Sequence, residues 1–409
     1  MSPIPPVRPA GGVRPPGTRR TAPATRVARV AVGILVIAAA LLVGACSGSD
    51  TAEDARPDDS GGVTSTAVTT TTSTPPPDPT SVAPVPSPGC APADDATTTT
   101  PPADGQEQVT TTSGDTDRWY LRHVPNVYEA DVPMPLVIDL HGYSEGAQIH
   151  SLTSSLSELG DMAGFITVTP QGQGSPAHWD TQIDSPDVAF VGQLMDETSE
   201  QYCVDLARIH VAGFSNGAFL TSAVACAYSD RIAAVAPVAG MRDIPGCAPQ
   251  RPVPVISFHG TADRFVAYEG GLGPAAAELP ASDGSGRTLG EVRDEDGSST
   301  DPAAVAAQGD PDESVPEIAQ AWATRNGCAH DGDAVDATET SVADDVTLFS
   351  FTCPVGAEVQ LYRVTDGGHS WPGSEFSRTI EAVVGPTTFS IDANALIWQF
   401  FTQHPLSAG

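Results

Sequence analysis

Lysine is absent from all 409 residues: the 19 basic side chains are arginines, set against 51 Asp and Glu, for a formal net charge of -32. A surface this acidic repels polyanions, which argues against a nucleic-acid partner. The excess acid reads as an ordinary solvated surface rather than as a binding feature. The chain also lacks any Cys-x-x-Cys or paired His and Cys spacing, so no metal site of that kind is written in it. No metal or organic cofactor is expected. Finally, the longest uncharged apolar run, Val30 to Val43, is shorter than the roughly 20 residues a spanning helix needs.

That run is preceded by Arg8, Arg14, Arg19, Arg20, Arg26 and Arg29 and ends in Val43, Gly44, Ala45 and Cys46. A basic opening, an apolar middle and small residues before a cysteine predict an export signal over residues 1–45. The last four residues resemble the lipobox of bacterial lipoproteins, which predicts lipidation of Cys46 and an extracellular, cell-surface protein anchored to the cytoplasmic membrane through that lipid. From Ser47 to about Asp104 the chain is Thr, Ser, Pro, Asp and Gly, with almost no large apolar residue. Such a segment cannot build a core and reads as a semi-extended stalk.

Seven cysteines in an exported chain leave six for disulfides once Cys46 is assigned to lipid. Cys328 and Cys353 flank one short segment and are expected to pair. Cys203 precedes a strand, and Cys226 lies near the end of the helix returning from it, which suggests a second pair. Cys90 and Cys247 pair by elimination. Because Cys90 must then be held, the stalk is set at 47–88 and the folded domain at 89–408.

Within that domain, apolar runs alternate with helical patterns, which predicts an α/β fold with a mostly parallel central sheet and helices on both faces. Expected strands are Trp119 to Val124, Leu136 to Leu140, Phe165 to Thr169, Ile209 to Ala212, Ala233 to Val238, Val253 to Phe258 and Val359 to Val364. Helices are expected to start near Ile149, Asp187, Asn216, Val315 and Asn394. Residues 270–315 are rich in Gly, Asp, Ser and Ala without periodicity. They read as a surface insertion, either a flap over a site or, by preference, a disordered acidic excursion.

Gly213-Phe214-Ser215-Asn216-Gly217 fits Gly-x-Ser-x-Gly between a strand and a helix, the setting in which a tight turn exposes a serine oxygen. Gly142-Tyr143-Ser144-Glu145-Gly146 fits the same pattern, so context must choose. A serine becomes a nucleophile only beside a histidine oriented by a carboxylate. In an α/β-hydrolase the order is serine, acid, histidine, each at the carboxyl end of a strand. After Ser215, one strand delivers Asp263 and another delivers His369. Ser144 instead lies where hydrolases place the loop completing an oxyanion hole, which assigns the two amide donors to Tyr143 and Asn216. His141 and His259 also sit beside glycine at strand ends, where loop support is their expected role. Asp366 is too close in sequence to His369 to serve as its acid.

Six segments carry a more specific likeness: Leu140 to Gly142, Thr169 to Gly172, Gly213 to Gly217, Val235 to Gly240, His259 to Asp263 and Gly367 to Gly373. Together they resemble the secreted polyhydroxybutyrate depolymerase and feruloyl esterase group of α/β-hydrolases, from about Cys90 to Pro405. The resemblance implies a serine ester hydrolase with Ser215, Asp263 and His369 as its triad, acting on a polyester, polysaccharide ester or small ester. It also implies that Trp179 and Trp371 sit near the substrate pocket. Two other readings of the same scaffold are a surface lipoprotein that only binds and a serine peptidase.

Overall fold

The computed structural model describes residues 82–90, 105–292, 313–332 and 334–406. The expected export signal, Cys46 and the stalk up to residue 81 lie outside the described residues. The strands are β1 (Gln106–Ser113), β2 (Thr116–His123), β3 (Met134–Leu140), β4 (Ile166–Pro170), β5 (Val204–Phe214), β6 (Ala234–Val238), β7 (Val255–Gly260), β8 (His330–Asp331), β9 (Ala334–Val335), β10 (Ala337–Ala343), β11 (Val346–Phe351) and β12 (Val359–Val364). Strands β8 and β9 pair only with each other; the rest form one sheet in the order β1-β2-β4-β3-β5-β6-β7-β12-β11-β10. From β4 to β12 every neighbour is parallel. Antiparallel strands extend both edges. With helices on both faces, this is the expected α/β-hydrolase fold.

Side-chain alternation explains why the central strands are apolar throughout. Leu136, Ile138 and Leu140 of β3 enter one core with Val188, Phe190 and Leu194 of α3 (Pro186–Gln201) and Leu220 of α4 (Asn216–Ala227). Val137 points the other way, into a second core with Phe165, Ile397, Phe400 and Phe401. A strand covered on both faces cannot show a polar alternation. Burying each such large aliphatic or aromatic side chain contributes about 1.5–3 kcal/mol before chain entropy is counted. The helices begin where their caps dictate: Ser185 accepts from Val188 N–H at the start of α3, and Asp392 accepts from Asn394 and Ala395 N–H before the C-terminal helix Ala393–Gln403.

The edge strands β1 and β10, and β11 beside β10, were not expected. β1 carries one large apolar residue, Val109, among Gln, Glu, Thr and Ser, and β10 is exposed along most of its length. Without a buried face, neither has the hydrophobic pattern by which strands are read.

Two of the three expected disulfide pairings are wrong. Cys328 does pair with Cys353, but Cys90 joins Cys203 and Cys226 joins Cys247. The cause is the path of residues 82–90, which run beside the start of β5: Ser87 N–H donates to Val204 O, Leu206 N–H to Val85 O, and Gly89 N–H to Ser199 O. A Cβ at Gly89 would lie 2.3 Å from Tyr202 O, so glycine permits the approach that sets Cys90 against Cys203. Cys226 is met by the loop after β6, tied to α4 by Arg242 N–H donating to Ser222 Oγ. Residues 82–88, assigned to the stalk, therefore belong to the folded domain.

The insertion also departs from expectation in its first half. Residues 270–292 fold over a small core of Ala281, Leu289 and Val292, packed by Tyr143, Leu272 and Leu279. Residues 293–312 lie outside the described residues. Among the described residues no helix is long and apolar enough to cross a membrane.

One buried titratable group reports on core integrity. His210 of β5 stacks on Phe401 at 4.3 Å between ring centroids and is buried. Burial, helped by the charges of His404 and Arg208, pushes its pKa down to about 3 from 6.5. Between those values the unfolded chain binds a proton that the folded chain refuses, so stability is complete above about pH 6.5 and falls as pH drops towards 3. Urea midpoints measured at pH 7.5, 6 and 5 should decline, and His210→Phe, which keeps the stack, should flatten that decline. Equal declines in both proteins would contradict this account.

Candidate active site

Ser215 stands alone between the end of β5 and the start of α4, with φ 56° and ψ -120°. That conformation is strained for a residue with a Cβ and persists only where its surroundings impose it. Ser215 N–H donates to Val238 O on β6 at 2.9 Å, and the turn crosses so close to β3 that a Cβ on Gly217 would lie 2.1 Å from Leu140 O. The serine is thereby raised at the carboxyl edge of the parallel strands, where ligands of open α/β sheets bind.

Asp263 and His369 arrive from adjacent strands. β7 and β12 pair in parallel, with Gly260 opposite Val364, and their following loops stay zipped: Thr261 N–H donates to Val364 O and Ala262 N–H to Gly367 O. The result is a 2.7 Å hydrogen bond between His369 Nδ1 and Asp263 Oδ2. The other oxygen, Asp263 Oδ1, accepts from Phe265 and Val266 N–H. Burial works against the ionised Asp263 carboxyl, but the charge and hydrogen bond of His369, with His259 and the Phe265 amide, more than offset it and hold its pKa below the usual carboxylate range. Phe214 and Phe265 bracket the His369 ring at 4.8 and 4.9 Å. Asp366 is exposed, and its N–H donates to Thr261 Oγ1.

Ser215 and His369 line the same cleft, of about 270 Å³. No hydrogen bond joins their side chains among the described residues; contacts of this kind tighten when substrate binds.

On the far side of Ser215 lies the loop after β3. His141 is buried, and burial lowers its pKa to about 4. As a neutral ring it accepts Gly172 N–H at Nε2 and donates from Nδ1 to Gly142 O. His259 is likewise pushed down by burial, against the pull of Asp263, and donates from Nε2 to Val266 O. Both histidines act as loop supports. Ser144 is exposed on the cleft rim, its N–H donating to Ala177 O. Tyr143 and Asn216, assigned to the oxyanion hole, flank Ser215 in a second small cavity of about 40 Å³. The Asn216 amide is at the first position of α4, where helix geometry provides no internal acceptor. Its side chain clasps the Trp179 backbone, accepting from Trp179 N–H at 2.8 Å.

The two tryptophans do not line the cleft. Trp179 is fully buried and donates from Nε1 to His141 O, and Trp371 is buried with its Nε1–H on Asn394 Oδ1. Both indoles wedge beneath the site loops, where their N–H groups are satisfied by the protein. The walls come instead from Phe214, Phe265, Leu279, Phe376, Ile380 and Val384. Phe376 and Ile380 belong to a short helical turn region after His369 that has no periodicity long enough to read. Leu279 comes from the insertion, whose described part is anchored by Tyr143 Oη donating to Pro280 O. Glu145, His150 and Asp139, unassigned from sequence, meet below the Tyr143 loop.

The sheet order and the helices on both faces are those of the α/β-hydrolase fold. No protein-family model matches the chain. Over 135 residues it is 32% identical to a bifunctional acetylxylan esterase/xylanase of Neocallimastix patriciarum, an alignment covering 33% of this chain and 20% of that protein. It is 31% identical over 166 residues to feruloyl esterase B of Piromyces equi, covering 38% of this chain and 31% of that one. It is 28% identical over 286 residues to the putative esterase NocK of Nocardia uniformis subsp. tsuyamanensis, covering 67% and 76% respectively. The chain thus spans between a fifth and a third of the first two relatives and about three quarters of the third. Its relatives are esterases, in keeping with the likeness carried by its motifs.

The elbow makes a sharp demand on sequence. Gly217→Ala must place a methyl against the rigid Leu140 carbonyl, and the expected cost is at least about 2 kcal/mol. A urea midpoint lowered accordingly, with loss of fluorophosphonate labelling at Ser215, is the expected result; an unchanged midpoint would refute the close approach.

Proposed function

We propose that this protein is an exported serine hydrolase of carboxylic esters, with Ser215 as nucleophile, His369 as base and Asp263 as the group orienting it. The observation that carries the reading is the buried 2.7 Å hydrogen bond between Asp263 and His369, whose ring lines the cleft that also holds the strained Ser215. Because Nδ1 of His369 is held by Asp263, Nε2 is the nitrogen left to take the Ser215 proton as Oγ attacks the ester carbonyl. The negative oxygen then sits between the Tyr143 and Asn216 amides at the head of α4. His369 returns the proton to the departing alkoxide. Water next attacks the acyl-enzyme, His369 taking its proton, and the acid leaves as Ser215 is restored.

The apolar walls suit an ester of low polarity near the reacting carbonyl. Substrates of the feruloyl, acetylxylan or hydroxyalkanoate type fit this reading, which draws on the esterase relatives and the motif resemblance. Export with a lipid on Cys46 is part of the same proposal, supported by the basic-apolar-cysteine opening of the chain and by three disulfides, which persist in oxidising compartments.

Hydrolysis of p-nitrophenyl acetate and butyrate by the full protein, abolished in Ser215→Ala at unchanged fold, is the expected outcome, after which methyl ferulate, acetylated xylan and hydroxybutyrate oligomers rank the substrates. A folded parent as inert as the variant would sink the proposal. Mass spectrometry of protein recovered from a bacterial host with lipoprotein processing should find a lipid-modified Cys46 at the N-terminus; an unprocessed or differently cleaved end would remove the anchor.

A further inference from the structure

The second Gly-x-Ser-x-Gly segment, Gly142 to Gly146, has a role apart from nucleophilic attack. Glu145 folds its side chain back over its own loop: Oε2 accepts Gly142 N–H at 2.7 Å, while Glu145 N–H donates to Gly142 O at 3.2 Å. The same carboxylate accepts from Thr153 Oγ1 and contacts His150 Nδ1 at 3.1 Å. His150 Nε2 in turn meets Asp139 Oδ1 at 2.8 Å, and Ser154 Oγ donates to Asp139 Oδ2 at 2.6 Å.

Asp139 and His150 are 1% and 0% exposed, inside the central strand and the helix Ala147–Ser154. A carboxylate–imidazole–carboxylate chain in such a place carries a heavy desolvation cost, and apolar residues of the same size would serve stability as well or better. Its position supplies the reason for it. One end grips Gly142 N–H, in the peptide unit next to the one that carries the Tyr143 amide; the other side touches the His369 loop, because His150 packs edge-on against Trp371 at 6.0 Å. Trp371 reaches the same helix through Asn394, whose Nδ2 donates to Ser154 O.

We propose that Glu145 is a positioning residue for the oxyanion side of the site: its carboxylate, held by His150 and Asp139, fixes the His141–Gly142 peptide and with it the turn at Gly142, so that the next amide, that of Tyr143, faces the reacting carbonyl. This rests on the ester hydrolase reading. Burial alone disfavours charge on both Glu145 and His150, yet their mutual attraction, with Asp139 and the Thr153 and Gly142 hydrogen bonds, leaves the Glu145 pKa lowered and the His150 pKa raised. The latch is therefore an ion pair across neutral pH, set before substrate arrives. Since the lock concerns a donor that matters only once the carbonyl oxygen becomes negative, its loss falls on kcat and leaves KM nearly unchanged.

The test is steady-state hydrolysis of p-nitrophenyl acetate by the parent, Glu145→Ala and Glu145→Gln, with active sites counted by fluorophosphonate titration. Glu145→Ala removes the latch while leaving His150 paired with Asp139, so the protein still folds. It should lower kcat per titrated site by about tenfold or more with KM within about twofold. Glu145→Gln, whose amide oxygen can still accept Gly142 N–H, should recover most of that loss. A purely structural role would reduce the number of titratable sites and leave kcat per site intact, which overturns the proposal, as does an effect confined to KM or a Gln variant as slow as the Ala. An inert parent removes the hydrolase reading and this proposal together, whereas an active parent with an unaffected Ala variant removes this proposal alone.

Discussion

The pairing of β7 with β12 governs the cleft more than any side chain in it. Parallel register sets Gly260 opposite Val364, and the loops beyond must then run in contact. A Cβ on Gly260 would lie 2.2 Å from Gly367 O. That backbone proximity brings Asp263 to His369 across a separation of 106 residues. The same device operates on the other side of Ser215, where Gly217 lets α4 approach Leu140. Glycine is required at these points because two main chains occupy the room a side chain would need.

Much of this was legible in the sequence because it is local. The strand-turn-helix around Ser215, the strand ends at His259 and Val364 and the central apolar strands each announce themselves within a dozen residues, and the structure brings Ser215 and His369 to one cleft, with Asp263 hydrogen-bonded to His369. What escaped depends on partners far along the chain. The edge strands β1 and β10 have no apolar face, and residues 82–88 look like stalk because they are rich in Pro and are held to β5 by hydrogen bonds of the main chain, Ser87 and Asp205 rather than by an apolar pattern. Locality alone does not sort the disulfides: Cys226 and Cys247, 21 residues apart, are nearer in sequence than Cys328 and Cys353 at 25, yet they escaped because Cys203 was given to Cys226 and not to Cys90, which reaches it by a chain path that composition cannot trace. The indoles of Trp179 and Trp371 were placed at the pocket, and they turned out to brace it from beneath.

Histidines show how little the residue type says without its surroundings. His141, His210 and His259 are held neutral by burial, since their neighbours do not outweigh the loss of water. His150 is just as deep but lies between two carboxylates, and its preference is reversed. His369 meets a single carboxylate through Nδ1 while its ring borders the cleft. In sequence His141 and His259 each precede a glycine at a strand end and could compete with His369 as base, although loop support was their expected role. The structure gives both of them main-chain partners in their loops.

Residues 82–90 enter at the amino end of β5, whereas Ser215 follows its carboxyl end. The cleft and the incoming chain thus occupy opposite ends of the sheet. A pull on the segment before Val82 is taken up by the Cys90–Cys203 bond and the hydrogen bonds beside it, which load the foot of β5 in shear. The loops carrying Asp263, His369 and Tyr143 lie outside that force path, so strain on the leading segment leaves the geometry of the cleft undisturbed.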